Sequence, residues 1–274
     1  MSFLSALLIG LVQGLTEFLP VSSTAHMTLL GNWLGVTDKL GPQRWTAFMA
    51  VIQLGTLAAV LVYFSRDLWG IGTSFLTENI LSPRPFRQQS PDSRMGWGII
   101  LGSIPIVLVG LLLKKLIEGG LPKQTAVIAG ALIFFALLLW LAEAVSRQGR
   151  DLTSFRLVDA IVMGLGQVFS LIPGASRSGT TLTAGLLAGL ARPAAARFSF
   201  LLSVPAVLGS GLFEFKESLP YLDRQLGMAY GVAGVSAFAS GLLAIGFLLR
   251  FLSRHPVTPF VLYRLALGAL LLLA

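Results

Sequence analysis

Gln13 and Glu17 stand four residues apart, so on a helix they share one face. A carboxylate beside an amide carbonyl suits a hard divalent cation such as Mg2+ or Ca2+, above all when phosphate oxygens complete the shell; one carboxylate alone makes a weak site. Ser22, Ser23 and Thr24 follow Pro20 closely, and His26 lies three residues beyond Ser23, one helical turn on. A serine hydroxyl becomes a nucleophile only beside a base. The plainer reading of this cluster is that a hydroxyl caps the next helix and the imidazole packs, and at least one cap is expected. A second polar run, Pro173-Gly174-Ala175-Ser176-Arg177-Ser178-Gly179-Thr180-Thr181, opens an apolar stretch. Backbone N–H groups at a helix start bind anions, Arg177 adds a planar fork matched to phosphate, and the hydroxyls of Ser176, Ser178 and Thr181 add hydrogen bonds. On the plainer reading this is a Gly/Ser turn with an interfacial arginine.

These groups sit in a very apolar chain. Of 274 residues 55% are hydrophobic and 12% charged, and the mean hydropathy is +0.81. Soluble domains carry roughly 25% charged residues, so a soluble domain, a disordered chain and a coiled coil are excluded and a polytopic helical membrane protein remains. The sequence contains no cysteine, which removes disulfides, thiolate metal sites and cysteine nucleophiles. The net charge of +8 fits cytoplasmic loops and anionic headgroups rather than nucleic acid. There is no Rossmann fingerprint, P-loop or HExxH pair.

Uncharged runs long enough to cross a bilayer cover Thr46–Phe64, Met95–Leu113, Gln124–Ala142 and Gln225–Leu249. Phe198–Phe213 joins them if Arg197 and Lys216 snorkel, and Val257–Ala274 if Arg264 is accommodated by snorkelling or by a carboxylate. Two regions, 1–35 and 157–191, instead consist of two short apolar stretches around a polar break, the plan of a re-entrant segment. The N-terminus lacks a basic leader region and is not expected to be a signal peptide. The two regions resemble each other: Gly10-Leu11-Val12-Gln13 matches Gly164-Leu165-Gly166-Gln167, and Pro20-Val21-Ser22-Ser23 matches Pro173-Gly174-Ala175-Ser176 with one residue of slippage. Three spans between the copies put them on opposite faces, as an inverted repeat requires. The expected fold is therefore an all-α integral membrane domain of residues 1–274, with six transmembrane helices plus two re-entrant helical hairpins in pseudo-repeats of about 1–145 and 155–274. Outside the spans, the N-terminal face carries Lys39, Arg44, Lys114, Lys115, Lys123, Lys216 and Arg224. The other face carries Arg66, Arg84, Arg87, Arg94, Arg147, Arg150, Arg156, Arg177, Arg192, Arg197, Arg250 and Arg254. The positive-inside rule puts the second face in the cytoplasm.

Hairpins entering from opposite faces would meet near the midplane, one bringing Gln13, Glu17, hydroxyls and His26, the other Arg177 and a helix N-terminus. That set can hold a metal-bound diphosphate whose apolar tail lies among the helices. Phosphoanhydride hydrolysis is mostly positioning and charge stabilisation, with Ser23 or His26 attacking, or His26 activating water.

The segment from Gln13 to His26 and the segment from Pro173 to Thr181 resemble the two signature motifs of the bacterial undecaprenyl-diphosphate phosphatase family of the bacitracin-resistance type. The likeness extends to Val51-Ile52-Gln53-Leu54-Gly55, Phe198-Ser199-Phe200-Leu201 and Tyr263-Arg264. The resemblance implies an integral membrane enzyme of the bacterial plasma membrane that converts undecaprenyl diphosphate to the monophosphate carrier of peptidoglycan synthesis, with a divalent cation, on the extracytoplasmic side. It implies Glu17, Ser23, His26 and Arg177 as catalytic residues and Glu17 and Gln13 as metal ligands. Ser22, Thr24, Gly174, Ser176, Ser178, Gly179 and Thr181 complete the expected substrate-binding set. Many relatives carry Glu where Gln13 stands, so a two-carboxylate metal site is not expected here. Membrane lipids are expected partners, nucleic acid is not, and a homodimer stays open. The rival reading is an inverted-repeat transporter or flippase of a lipid phosphate, for which Ser23 beside His26 is unnecessary.

Overall fold

A chain in lipid must close its backbone hydrogen bonds internally, and helices do so without a partner strand. The computed structural model describes residues 1–113 and 124–273, and the regular elements among them are helical apart from one isolated bridge between Arg150 and Leu190. In chain order they are α1 (Phe3–Phe18), α2 (Ser23–Trp33), α3 (Val36–Tyr63), α4 (Ser65–Leu76), α5 (Pro91–Leu112), α6 (Thr125–Val145), α7 (Leu157–Val168), α8 (Arg177–Leu187), α9 (Arg192–Ser218), α10 (Arg224–Leu252) and α11 (Thr258–Leu273). Lys114, Lys115, Lys123 and Ala274 lie outside the described residues.

Five helices, α3, α5, α6, α9 and α10, are long and apolar enough to cross a membrane. The sixth expected span, α11, has 16 residues, about 24 Å of helix against a hydrocarbon core of about 30 Å. The long helices outrun the uncharged stretches that signalled them. Thus α9 has 27 residues, because Arg197 and Lys216 sit on the helix rather than ending it. Large apolar side chains such as Leu111, Val235 and Leu243 face outward, the pattern of a lipid-facing surface. Helix α4 was not expected; its Asp67 takes Nη2 of Arg197 on α9 at 2.9 Å.

With lipid as apolar as leucine, helices associate through close packing of small residues. Helix α1 lies along α10 with Gly10 and Gly14, a GxxxG pair, against Ala233, Ser236, Ala237 and Ser240; a Cβ on Gly14 would fall 2.0 Å from Ser240 Oγ and 2.4 Å from the Ala237 carbonyl oxygen. Helix α7 lies along α5 in the same manner, Gly164 against the Gly102 backbone. Between these pairs α3 packs on both α9 and α10, and α6 packs on α8 and α11.

Helices α1, α2, α7 and α8 have 16, 11, 12 and 11 residues, and each consecutive pair is divided by a break instead of running on as one long span. Both breaks are built alike. Ser22 (φ 71°) and Ser176 (φ 70°) hold left-handed backbone that serine rarely adopts. Each accepts a capping hydrogen bond at its Oγ, from Ala25 N at 3.4 Å and Gly179 N at 3.2 Å. Ser22 thus corresponds to Ser176, Gln13 to Gln167 and Gly10 to Gly164 at one constant offset. The expected slippage is corrected: the cap geometry aligns the two breaks without it, and the prolines are the residues out of step.

Candidate active site

Helix α1 ends at Phe18 and the chain turns back through residues 19–22 before α2 starts. The last turn of α1 and the first turn of α2 therefore share a buried corner. Glu17 fills it, its side chain 4% exposed. Oε2 of Glu17 accepts from Gln13 Nε2 at 2.8 Å and from Ser23 Oγ at 2.7 Å. Oε1 accepts from Nη2 of Arg177, the first residue of α8, at 2.5 Å across 160 residues of chain. Ser178 Oγ adds a second link between the two breaks, donating to the Leu19 carbonyl at 2.9 Å. The carboxylate and the guanidinium thus lie in one site, where each offsets part of the cost of taking the other out of water.

The serine does not use the imidazole next along its helix. Ser23 Oγ points to Glu17, while His26 Nδ1 lies 2.7 Å from the Ser22 carbonyl and Nε2 lies 2.5 Å from the Tyr263 hydroxyl on α11. A carbonyl only accepts, so in the neutral ring Nδ1 carries the proton and Tyr263 donates to Nε2. The two rings are nearly parallel at 7°, with centroids 5.5 Å apart. His26 thereby pins the strained Ser22 peptide and ties α2 to α11.

Among the remaining expected residues, Ser22 and Ser176 are caps, and Ser176 Oγ is also 3.2 Å from Ser178 Oγ. Thr24 sits in the first turn of α2 beside Ser23. Thr181 turns away from the carboxylate and is fully buried, its hydroxyl donating to the Arg177 carbonyl at 2.7 Å and meeting Ser199 Oγ on α9 at 2.5 Å. Gly174 contributes its carbonyl, and Gly179 its lack of a side chain.

What both of them serve is Arg264. The expectation that Arg264 snorkels or pairs with a carboxylate is corrected. It is fully buried, and its Nη2 donates to the carbonyls of Gly174 at 3.2 Å and Ala175 at 2.9 Å. A Cβ on Gly179 would fall 2.7 Å from its Nη1. The partners are backbone oxygens of the unwound turn before α8, which no residue-type pattern displays. Arg264 thus holds the turn that presents Arg177, and with Tyr263 it is the part of the site that the two motifs alone do not contain.

The oxygens collected at α1 are the kind a hard cation takes: the Glu17 carboxylate, the Gln13 amide oxygen left over once Nε2 has bonded Glu17, and the Ser23 hydroxyl. Among the described residues no three His, Cys, Asp or Glu side chains converge, so the protein brings a single anionic ligand, and that one is shared with Arg177. The set fits a cation that arrives with its own anionic oxygens.

Comparison with known proteins gives a consistent picture. The family model described as bacitracin resistance protein BacA matches residues 6–270. A protein of Syntrophobacter fumaroxidans named undecaprenyl-diphosphatase is 53% identical over 99% of this chain and 97% of its own length. Proteins of the same name from Myxococcus xanthus and Chloroherpeton thalassium are 46% and 44% identical, each over 99% of this chain and over 89% and 96% of their own lengths.

Proposed function

Because the chain belongs to the bacitracin resistance protein BacA family, we propose that it is a membrane-embedded undecaprenyl-diphosphatase, releasing phosphate and the monophosphate lipid from undecaprenyl diphosphate. The observation that carries this reading is Glu17, which holds a serine hydroxyl from one broken helix pair and an arginine from the other within hydrogen-bond distance. The arrangement reads as six spans, the shorter α11 included, with α1–α2 and α7–α8 as re-entrant hairpins of an inverted repeat. The paired packing of α1 on α10 and α7 on α5 supports it, as do the twin serine caps. By the positive-inside rule the α1–α2 hairpin enters from the extracytoplasmic side of the plasma membrane.

The terminal phosphate docks against the Arg177 guanidinium and the first N–H groups of α8, which lack intrahelical acceptors. Arg177 is then shared between the carboxylate and the equatorial oxygens as charge builds on them. Ser23 Oγ attacks the terminal phosphorus and its proton passes to Glu17 Oε2. The bond from phosphorus to the bridging oxygen breaks, and the monophosphate lipid leaves with the proton handed on by Glu17. Water then attacks the phosphoserine, Glu17 taking the proton from the water and returning it to Ser23 Oγ as the bond from phosphorus to Oγ breaks and inorganic phosphate leaves. Glu17 and Gln13 would hold a divalent cation, Mg2+ or Ca2+, which supplies Lewis-acid polarisation and neutralises phosphate charge. His26 acts by positioning the Ser22–Ser23 turn, with Tyr263 as its partner.

Purified protein given a long-chain prenyl diphosphate and magnesium releases inorganic phosphate, and chelation by EDTA suppresses the release. Binding of the diphosphate without release would overturn the enzymatic reading in favour of carriage. A serine held on a carboxylate serves hydrolysis and has no part in transport, so the geometry favours the enzyme.

A further inference from the structure

At the end of the molecule from which α7 departs, a pocket of about 540 Å3 opens between the loop after α6, the start of α7 and the turn after α8, far in sequence from the Glu17 corner. Three of its walls are arginines, Arg147, Arg150 and Arg156. The loop that carries them is fixed. Arg150 grips Asp159 at 2.9 and 2.6 Å, its N–H donates to the Gly189 carbonyl at 3.2 Å, and Ser146 Oγ donates to the Leu186 carbonyl at 2.5 Å. Gln148 holds left-handed backbone (φ 45°), a conformation that costs free energy and persists only where surrounding contacts impose it.

The charges in this pocket do not cancel. Asp159 is committed to Arg150 and to the Arg156 N–H. The Asp151 carboxylate bends back onto Thr153 and Ser154. Arg147 and Arg156 are exposed, and neither side chain forms an ion pair among the described residues. The rim beside these guanidinium groups is apolar, with Val145 60% and Leu187 59% exposed. From Arg156 an outward stripe continues down α7 through Val158, Ile161 and Leu165, one helix face at spacings of three and four. A cationic head site that opens onto an apolar rail matches a molecule with an anionic head and a hydrocarbon chain.

We propose that this pocket binds an anionic phospholipid, its headgroup phosphate between Arg147 and Arg156 and one acyl chain along the α7 stripe. The assignment rests on the membrane reading of the fold and not on the catalytic one, since its readout is lipid binding. The guanidinium fork fits phosphate oxygens. The positive-inside rule places this end at the cytoplasmic leaflet, where anionic lipids concentrate and each basic side chain near the surface adds about 1 kcal/mol.

The test is a titration of purified protein with fluorescent phosphatidylglycerol, with phosphatidylcholine and inorganic phosphate as competitors. The expected result is saturable binding of phosphatidylglycerol that phosphatidylcholine displaces poorly and inorganic phosphate displaces only at far higher concentration. The pair Arg147→Gln with Arg156→Gln weakens it about thirtyfold, two basic side chains' worth. Both side chains are exposed, so the variant keeps the wild-type melting temperature. The control pair Arg250→Gln with Arg254→Gln removes two exposed arginines from the same end and leaves the affinity unchanged. Equal weakening by both pairs would reduce the effect to general surface charge and overturn the site. Displacement by inorganic phosphate at the lipid's own concentration would assign the pocket to free anions, and equal retention of both lipids would leave it no anionic selectivity; either result refutes the proposal.

Discussion

Glu17 does three jobs with two oxygens: it receives the Ser23 proton, counters Arg177 and takes the Gln13 amide. Glu17→Gln leaves the half-buried Arg177 guanidinium without its counter-charge, a cost of about 3 kcal/mol, and removes the proposed base, so phosphate release falls at least a hundredfold. The double variant Glu17→Gln with Arg177→Gln recovers much of the melting temperature, measured in detergent, yet stays inactive. Ser23→Ala separates chemistry from positioning: its release falls to the level of the Glu17 variant while His26→Ala keeps a measurable fraction. The reverse ranking would return the chemical role to the imidazole. The residue types of the site were legible because carboxylate, imidazole and guanidinium are expensive in an apolar chain. The partner of Ser23 was not. Helical spacing nominates His26, whereas the turn at residues 19–22 folds α1 back so that Glu17 arrives first.

At the scale of elements, the site depends on where two short helices stop. Ser22 and Ser176 each combine a cap with a strained backbone, so Ser22→Ala loses the cap at a cost of about 1 kcal/mol and keeps the strain. Ser22→Gly gives up only a few tenths for the cap and relieves the φ, and a thermal melt ranks Gly above Ala. The GxxxG pair of α1 is the second control. Gly14→Val drives a branched side chain into Ser240 and the Ala237 carbonyl, which costs about 3 kcal/mol or more and shifts the helix that carries Gln13 and Glu17. The variant therefore melts earlier and loses turnover although it touches no polar group of the site. The short lengths of these helices, and their duplication, could be read from the polar breaks. The register between the copies could not, since it is written in a backbone dihedral and a capping bond rather than in the prolines.

For the whole molecule, composition pointed to a bilayer and the length of the uncharged runs to helices, since only helices and closed barrels satisfy the backbone there and runs of about 20 apolar residues suit a helix rather than a barrel strand. The lengths of the spans were underestimated wherever a charged residue lies on a helix rather than at its end, as Arg197 does. A chain without cysteine is already suited to labelling: Asp38→Cys in the first turn of α3 and Asp151→Cys in the loop before α7, both exposed, are expected to react with an impermeant maleimide from opposite sides of sealed vesicles. Reaction of both from one side would abolish the inverted arrangement. A larger consequence follows from the link between Glu17 and Arg177. In the proposed mechanism the base and nucleophile come from one half of the chain and the anion clamp from the other, so neither half alone is expected to be an enzyme. Cutting the gene in the loop after α6 and co-expressing the fragments should restore hydrolysis only when both are present, with activity tracking their reassociation. Turnover in such a split system is a direct gauge of how well the two halves have found each other in the membrane.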